Sequence, residues 1–166
     1  MKEILILTGA CGVGKSTIAK NWAKLKNGAT IDCDYLTEWI FNKDFPHWTI
    51  EEEKFVARLA SKIAIEYVNF GMSTSIENVW SPIGIELLKD EIQSLGKIKV
   101  KVIWLFCELT ENHKRDRQRI PENQMKERVN IVNKELENYN WPKYLHKLDT
   151  TGLTIEQTIK IIEDLK

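Results

Sequence analysis

Residues 9–16 read Gly-Ala-Cys-Gly-Val-Gly-Lys-Ser and follow directly on the apolar run Ile4, Leu5, Ile6 and Leu7. No other stretch restricts the possible folds so strongly. A short continuous apolar run ended by glycine reads as a strand buried on both faces. From Ser16 onward Ile18, Trp22 and Leu25 recur at helical spacing, so strand, glycine-rich loop and helix succeed one another without a gap. Gly9, Gly14, Lys15 and Ser16 match G-x-x-x-x-G-K-[ST] at every position. Glycines let the backbone curl until successive amides face one anion, and the helix that follows adds its positive end. Lys15 is then placed for the β- and γ-phosphates of a nucleoside triphosphate, and the Ser16 hydroxyl for Mg²⁺.

The remaining chain repeats the alternation. Residues 29–32, 73–77, 98–106 and 146–149 read as further strands, each beside a helical pattern. A brief helix is expected over Leu36–Phe41. Thr49 and Glu52 have capping-box spacing and open a long helix with an inner stripe of Phe55, Leu59, Ile63 and Tyr67, stopped by Gly71. The next helix starts near Pro82 with Ile85, Leu88, Ile92 and Leu95 inward. Another runs from Pro121 to about Asn138, and Thr154 with Gln157 caps a last one carrying Ile155, Ile159 and Ile162. Strands alternating with helices imply parallel βαβ units and a three-layer α/β domain. At 166 residues the chain fits one such domain, 1–166. Ligands of these sheets sit at the carboxyl ends of the strands. Gly9–Ser16, Asp32–Asp34, Glu77–Trp80 and Asp149–Thr151 all fall there.

Phosphoryl transfer to a hydroxyl needs a carboxylate to orient and deprotonate the acceptor, and cations around the moving phosphoryl. Asp32 and Asp34, with one residue between them, would aim both carboxylates the same way from extended backbone. One suits water-mediated contact with Mg²⁺ and the other the acceptor; a helix cap is the competing role for either. Glu77 is a third candidate, for the acceptor or a metal-bound water, with a buried ion pair as its competing role. No hydrophobic strand ends in the aspartate that commonly completes such a metal site, so Asp32, Asp34 and Glu77 share that position. Six tryptophans are many for this length, and Trp39, Trp48 and Trp80 are the candidates for pocket walls. In residues 113–119, His-Lys-Arg-Asp-Arg-Gln-Arg, Arg115 and Arg119 share a helical face and could clamp phosphate oxygens; a solvated charged helix is the alternative.

Composition excludes some functions. Lysine plus arginine equals aspartate plus glutamate at 24 each, unlike the basic excess of a protein built to grip a nucleic-acid backbone. Cys11, Cys33 and Cys107 show neither metal-ligand nor disulfide spacing. With no signal-like segment and no long apolar run, a reducing cytoplasmic setting and no membrane contact are expected. Cys11 and Cys33 read as small residues at tight positions.

With Gly-Ala-Cys-Gly-Val-Gly-Lys-Ser-Thr, Ile-Asp-Cys-Asp-Tyr-Leu, the Arg115/Arg119 pair and Leu-Asp-Thr-Thr in this order, the chain resembles the small P-loop kinases. That group includes shikimate and gluconate kinases, chloramphenicol phosphotransferase and the nucleoside monophosphate kinases. The resemblance implies a five-stranded parallel sheet in the order 2-3-1-4-5, a mobile arginine-bearing lid over about residues 110–124, and ATP–Mg²⁺ as donor. It implies nucleotide contacts from Gly9, Ala10, Cys11, Gly12, Val13, Gly14, Lys15, Ser16, Thr17 and Arg115, with Thr150 and Thr151 in the loop against which adenine packs. Asp32 and Asp34 look like the Asp-x-Asp pair of shikimate kinase. Where that enzyme carries a glycine-rich acceptor motif, this chain has Glu77-Asn78-Val79-Trp80, and residues 35–56 contain no arginine; shikimate is therefore a poor fit. The expected activity is ATP-dependent phosphorylation of a small-molecule acceptor: a metabolite, a nucleoside or nucleotide, or an antibiotic hydroxyl. A polynucleotide 5′-kinase and a non-kinase ATP-binding switch are the alternatives. Acceptor identity, base preference and oligomeric state are open at this point.

Overall fold

The computed structural model describes residues 2–94 and 96–165. Leu95, expected on the inner stripe of its helix, lies outside them. The element order is β1 (Glu3–Thr8), α1 (Lys15–Leu25), β2 (Ala29–Asp32), α2 (Ile50–Asn69), β3 (Thr74–Glu77), α3 (Pro82–Ser94), β4 (Lys99–Phe106), α4 (Leu109–Arg117), α5 (Glu127–Asn138), β5 (His146–Asp149) and α6 (Ile155–Asp164). The five strands form one parallel sheet in the order β2-β3-β1-β4-β5. This is the P-loop α/β fold, with helices on both sides.

The continuous apolar run of β1 suits its central place, and Ile4 to Leu7 are all fully buried. Two hydrophobic layers flank the sheet. One holds Leu5, Leu7, Trp22, Ile103, Leu105, Val132 and Ile162; the other holds Ile4, Ile6, Val56, Ala60, Ile76, Trp80, Leu88 and Ile92. Alternate residues of β1 feed opposite layers, as the pleat requires. Lys101, inside β4, is buried too. Its Nζ donates to the carbonyls of Ile162 (2.7 Å) and Glu163 (3.0 Å), closing the carboxyl end of α6.

Several local expectations give way to packing. Leu36–Phe41 is not helical; a 3-10 turn occupies Cys33–Leu36 instead, because Asp32 caps it by accepting from the Asp34 N–H. In α2 the inward residues are Val56, Ala57, Ala60, Ala64 and Ile65, while Phe55 is exposed. The small side chains let α2 lie close to the sheet and α3; of the expected stripe, Ile63 and Tyr67 still pack partly buried against this core. Leu25 and Ile155 are likewise exposed, and Ala19, Ala23 and Thr158 take their places inside. At the start of α2, Thr49 Oγ1 accepts from the Glu52 N–H, but the Glu52 carboxylate accepts from the Trp48 N–H rather than closing the box. The box at Thr154 and Gln157 is complete, and α2 ends at Gly71 as expected. Pro121 opens only a short 3-10 turn, Pro121–Asn123; α5 begins at Glu127. Asp116 holds the break by accepting from the Met125 and Lys126 N–H groups at 2.9–3.0 Å.

Trp22 is fully buried, with its indole N–H donating to Glu163 at 2.7 Å. Trp22→Ala should therefore lower the unfolding free energy by about 3–5 kcal/mol, read from urea unfolding. A loss below about 1 kcal/mol would mean that α1 and α6 do not depend on this side chain.

Candidate active site

Parallel pairing brings the ends of β1, β2 and β3 level. Leu7 is opposite Glu77, and Glu77 is opposite Asp32. The loop after β1 therefore turns at the centre of the sheet's carboxyl edge, with both acidic segments beside it. A Cβ on Gly9 would lie 2.3 Å from the Leu105 carbonyl oxygen. One on Gly12, whose φ is +83°, would lie 2.7 Å from Asn112 Nδ2. Both positions need glycine. Lys15 Nζ donates to the carbonyls of Gly9 (2.9 Å) and Ala10 (3.1 Å), which holds the ammonium over the loop.

A cavity of about 750 Å³ lies against this loop. Cys11 through Ile18 form its floor. Asp34 and Glu77 through Val79 line one end. Glu111, Arg115, Gln118, Arg119 and Met125 line the lid side, and Thr150 with Leu153–Ile155 the other end. The structure thus brings together the loop, Asp34, Glu77, both arginines and Thr150. Thr151 is not among the lining residues; its hydroxyl accepts from the Glu108 N–H at 2.8 Å.

Asp32 and Asp34 do not point the same way. Asp34 sits in the 3-10 turn rather than on extended backbone, so Asp32 folds back as a cap while Asp34 alone reaches the cavity. The surroundings of the Asp34 carboxyl desolvate it and push its pKa up, and the Asp32 charge adds to this; Lys15, Arg128 and Arg119 pull the other way. Glu77 is buried, and desolvation raises its pKa to about 7 against the pull of Lys15 and a hydrogen bond from Ser16. Cys33, between the aspartates, is buried, and desolvation with three nearby carboxylates drives its thiol well above the usual range. It stays a thiol, in keeping with a packing role.

The tryptophan expectations are corrected. Trp80 is fully buried, with its backbone N–H donating to the Thr8 hydroxyl at 2.9 Å, and belongs to the core. Trp39 and Trp48 are 73% and 82% exposed and do not line the cavity. Asn78, Val79 and Met125 take the wall positions; nothing in their residue types marked them. Arg128, which stacks on Trp48 at 4.8 Å and acts on Asp34, was also missed, because its place depends on where α5 begins.

Arg115 is tied into the frame. Its guanidinium donates to the Val13 carbonyl (3.2 Å), to Thr150 Oγ1 (3.0 Å), to the Thr150 carbonyl (2.8 Å) and to Glu111 (3.0 Å). Arg119, past the end of α4, has one long pairing with Asp116 at 3.7 Å. The expected mobile lid of 110–124 therefore begins with an anchored half.

Among the described residues no group of three or more His, Cys, Asp or Glu side chains converges to hold a metal ion alone. Ser16 and Glu77 nevertheless suit Mg²⁺, a hard cation that takes one or two protein oxygens and completes its shell with water and substrate phosphates. No described helix is long and apolar enough to cross a membrane.

No protein-family model matches the chain. Solved structures do. A sugar kinase from Janibacter sp. is 18% identical over 97% of this chain and 92% of its own, with a TM-score of 0.75. The APS kinase of Mycobacterium tuberculosis, solved with AMPPNP and APS, is 19% identical over 98% and 96%, with a TM-score of 0.72. A gluconokinase from Sinorhizobium meliloti is 11% identical over 96% and 89%, with a TM-score of 0.63. At these identities the likeness establishes a shared fold, that of the small P-loop kinases.

The raised Glu77 pKa has a signed consequence for stability. With the folded value near 7 and an ordinary value of 4.5, the unfolded chain releases its proton first, so stability falls as pH rises from about 4.5 to 7. Glu77→Gln should flatten that part of the profile in metal- and nucleotide-free protein and be the more stable form above pH 7. Parallel wild-type and variant profiles in thermal melts across pH 4–8 would contradict the assignment.

Proposed function

We propose that this chain is an ATP-dependent kinase that transfers the γ-phosphoryl group to a hydroxyl or phosphate of a small-molecule acceptor. The observation that carries the reading is one cavity lined by Cys11–Ile18, Asp34, Glu77, Arg115 and Arg119. The fold shared with sugar, APS and gluconate kinases supports it.

Each residue has a role set by its position. The loop amides and Lys15 would hold the β- and γ-phosphates, and Ser16 and Glu77 would hold Mg²⁺, which when bound would neutralise charge on the phosphates. Asp34 orients the acceptor hydroxyl. As the acceptor oxygen bonds to the γ-phosphorus and the bond to the β-γ bridging oxygen breaks, Asp34 takes the proton and ADP leaves. A carboxyl with a raised pKa suits that task, since a base works best near the operating pH. Arg115, held rigid, and Arg119, more freely placed, face the equatorial oxygens. Glu77-Asn78-Val79 and Met125 bound the acceptor end, which selects for a compact molecule.

A screen of metabolites, nucleosides and antibiotics with labelled ATP tests the reading directly. Lys15→Ala should abolish product formation with an unchanged melting temperature; full activity in that variant would refute the assignment. Asp34→Asn should lower kcat by about 10²–10⁴-fold with ATP affinity retained. Equal losses in kcat and ATP affinity would remove Asp34 from the base role.

A further inference from the structure

Asn112 carries a polar side chain that the proposed chemistry does not use, yet it is fully buried. Its Nδ2 donates to the Cys11 carbonyl at 2.7 Å, and its Oδ1 accepts from Asn133 Nδ2 at 2.8 Å. Asn133 is fixed in turn by donating to the Val129 carbonyl at 2.8 Å. Three residues after Asn112, on the same face of α4, Arg115 donates to the Val13 carbonyl. Two side chains of one helix thus grip alternate carbonyls of the phosphate loop from outside.

Peptide geometry turns this grip into a consequence for binding. No peptide bond among the described residues is cis, and in a trans peptide the C=O and the next N–H point in opposite directions. Drawing the Cys11 carbonyl toward α4 turns the Gly12 N–H away from it; drawing the Val13 carbonyl does the same for the Gly14 N–H. Neither N–H finds a protein acceptor among the described residues. Gly12 and Gly14 adopt φ of +83° and +99°, so both peptides could otherwise rotate at little steric expense. Free glycine peptides would have to be ordered when an anion arrives, which weakens binding; prior ordering removes that loss.

We infer that Asn112 is a positioning residue for the phosphate site: with Arg115 it pre-sets the Gly12 and Gly14 amides toward a bound polyphosphate. The inference rests on the reading of Gly9–Ser16 as a nucleotide triphosphate site. It makes α4 part of the donor site and leaves only the segment beyond Arg117, with Arg119, to move.

The test uses the full chain and inorganic tripolyphosphate with Mg²⁺. In ¹⁵N-labelled wild-type protein the Gly12 and Gly14 amide resonances should shift saturably on titration. Asn112→Ala should bind tripolyphosphate and ATP about ten-fold or more weakly, yet bind adenosine as the wild type does. Asn112→Asp, which sets an acceptor against the Cys11 carbonyl, should lose more. Asn112→Ala with wild-type tripolyphosphate affinity, or with equal losses for ATP and adenosine, overturns the positioning role. So do unmoved glycine amides in the wild type, a measurement that does not depend on a variant folding. Failure of the wild type to bind tripolyphosphate at all would instead sink the nucleotide reading and this inference with it.

Discussion

The structure depends on the burial of β1 between β3 and β4. Because Ile4 to Leu7 lie wholly inside and hydrogen-bond on both sides, the chain leaving Thr8 has no lateral exit within the sheet. It must turn at the centre of the carboxyl edge and return as α1, which packs chiefly over β3 and β2 on its way to the sheet's edge. Glycine at 9 allows the loop to pass the Leu105 carbonyl, and Gly14 starts α1 in a left-handed conformation. The position of the loop follows from this arrangement rather than being added to it.

The same edge concentrates acidic groups. Glu77, Asp32 and Asp34 gather near the loop, with Lys15 as the nearest cation and Arg119 and Arg128 further out. Buried carboxylates with too little positive charge nearby rise in pKa, and Glu77 does so strongly. The arrangement is costly to the isolated protein, and a divalent cation at this edge would supply the missing charge.

Much of the architecture was legible in the sequence. The five strands and the complete capping box at Thr154 were readable from residues adjacent in the chain, and the strand order followed from the resemblance to the small P-loop kinases. The errors share a cause. Periodicity located α2 and placed Ile63 and Tyr67 against the core, but close packing against the sheet and α3 put Ala57, Ala60 and Ala64 at its centre and left Phe55 exposed. Trp39 and Trp80 were grouped as walls by residue type, while their burial is opposite. The Asp-x-Asp spacing implies parallel carboxylates only on extended backbone, and the 3-10 turn at Cys33–Leu36 separates Asp32 from Asp34.

By itself the sequence determined that a glycine-rich G-x-x-x-x-G-K-[ST] loop follows the first strand of a parallel α/β sheet. Every group that this requires lies within Ile4 to Ser16, where backbone preference and hydrophobic pattern act locally. Only the tertiary structure decided what faces the loop. Asn112 and Arg115 meet Cys11 and Val13 across about a hundred residues of chain. Met125 and Val79 line the cavity although neither carries a chemical signature. Partners of this kind are chosen by how helices stack on the sheet, a sum of many weak contacts that no short stretch of sequence contains.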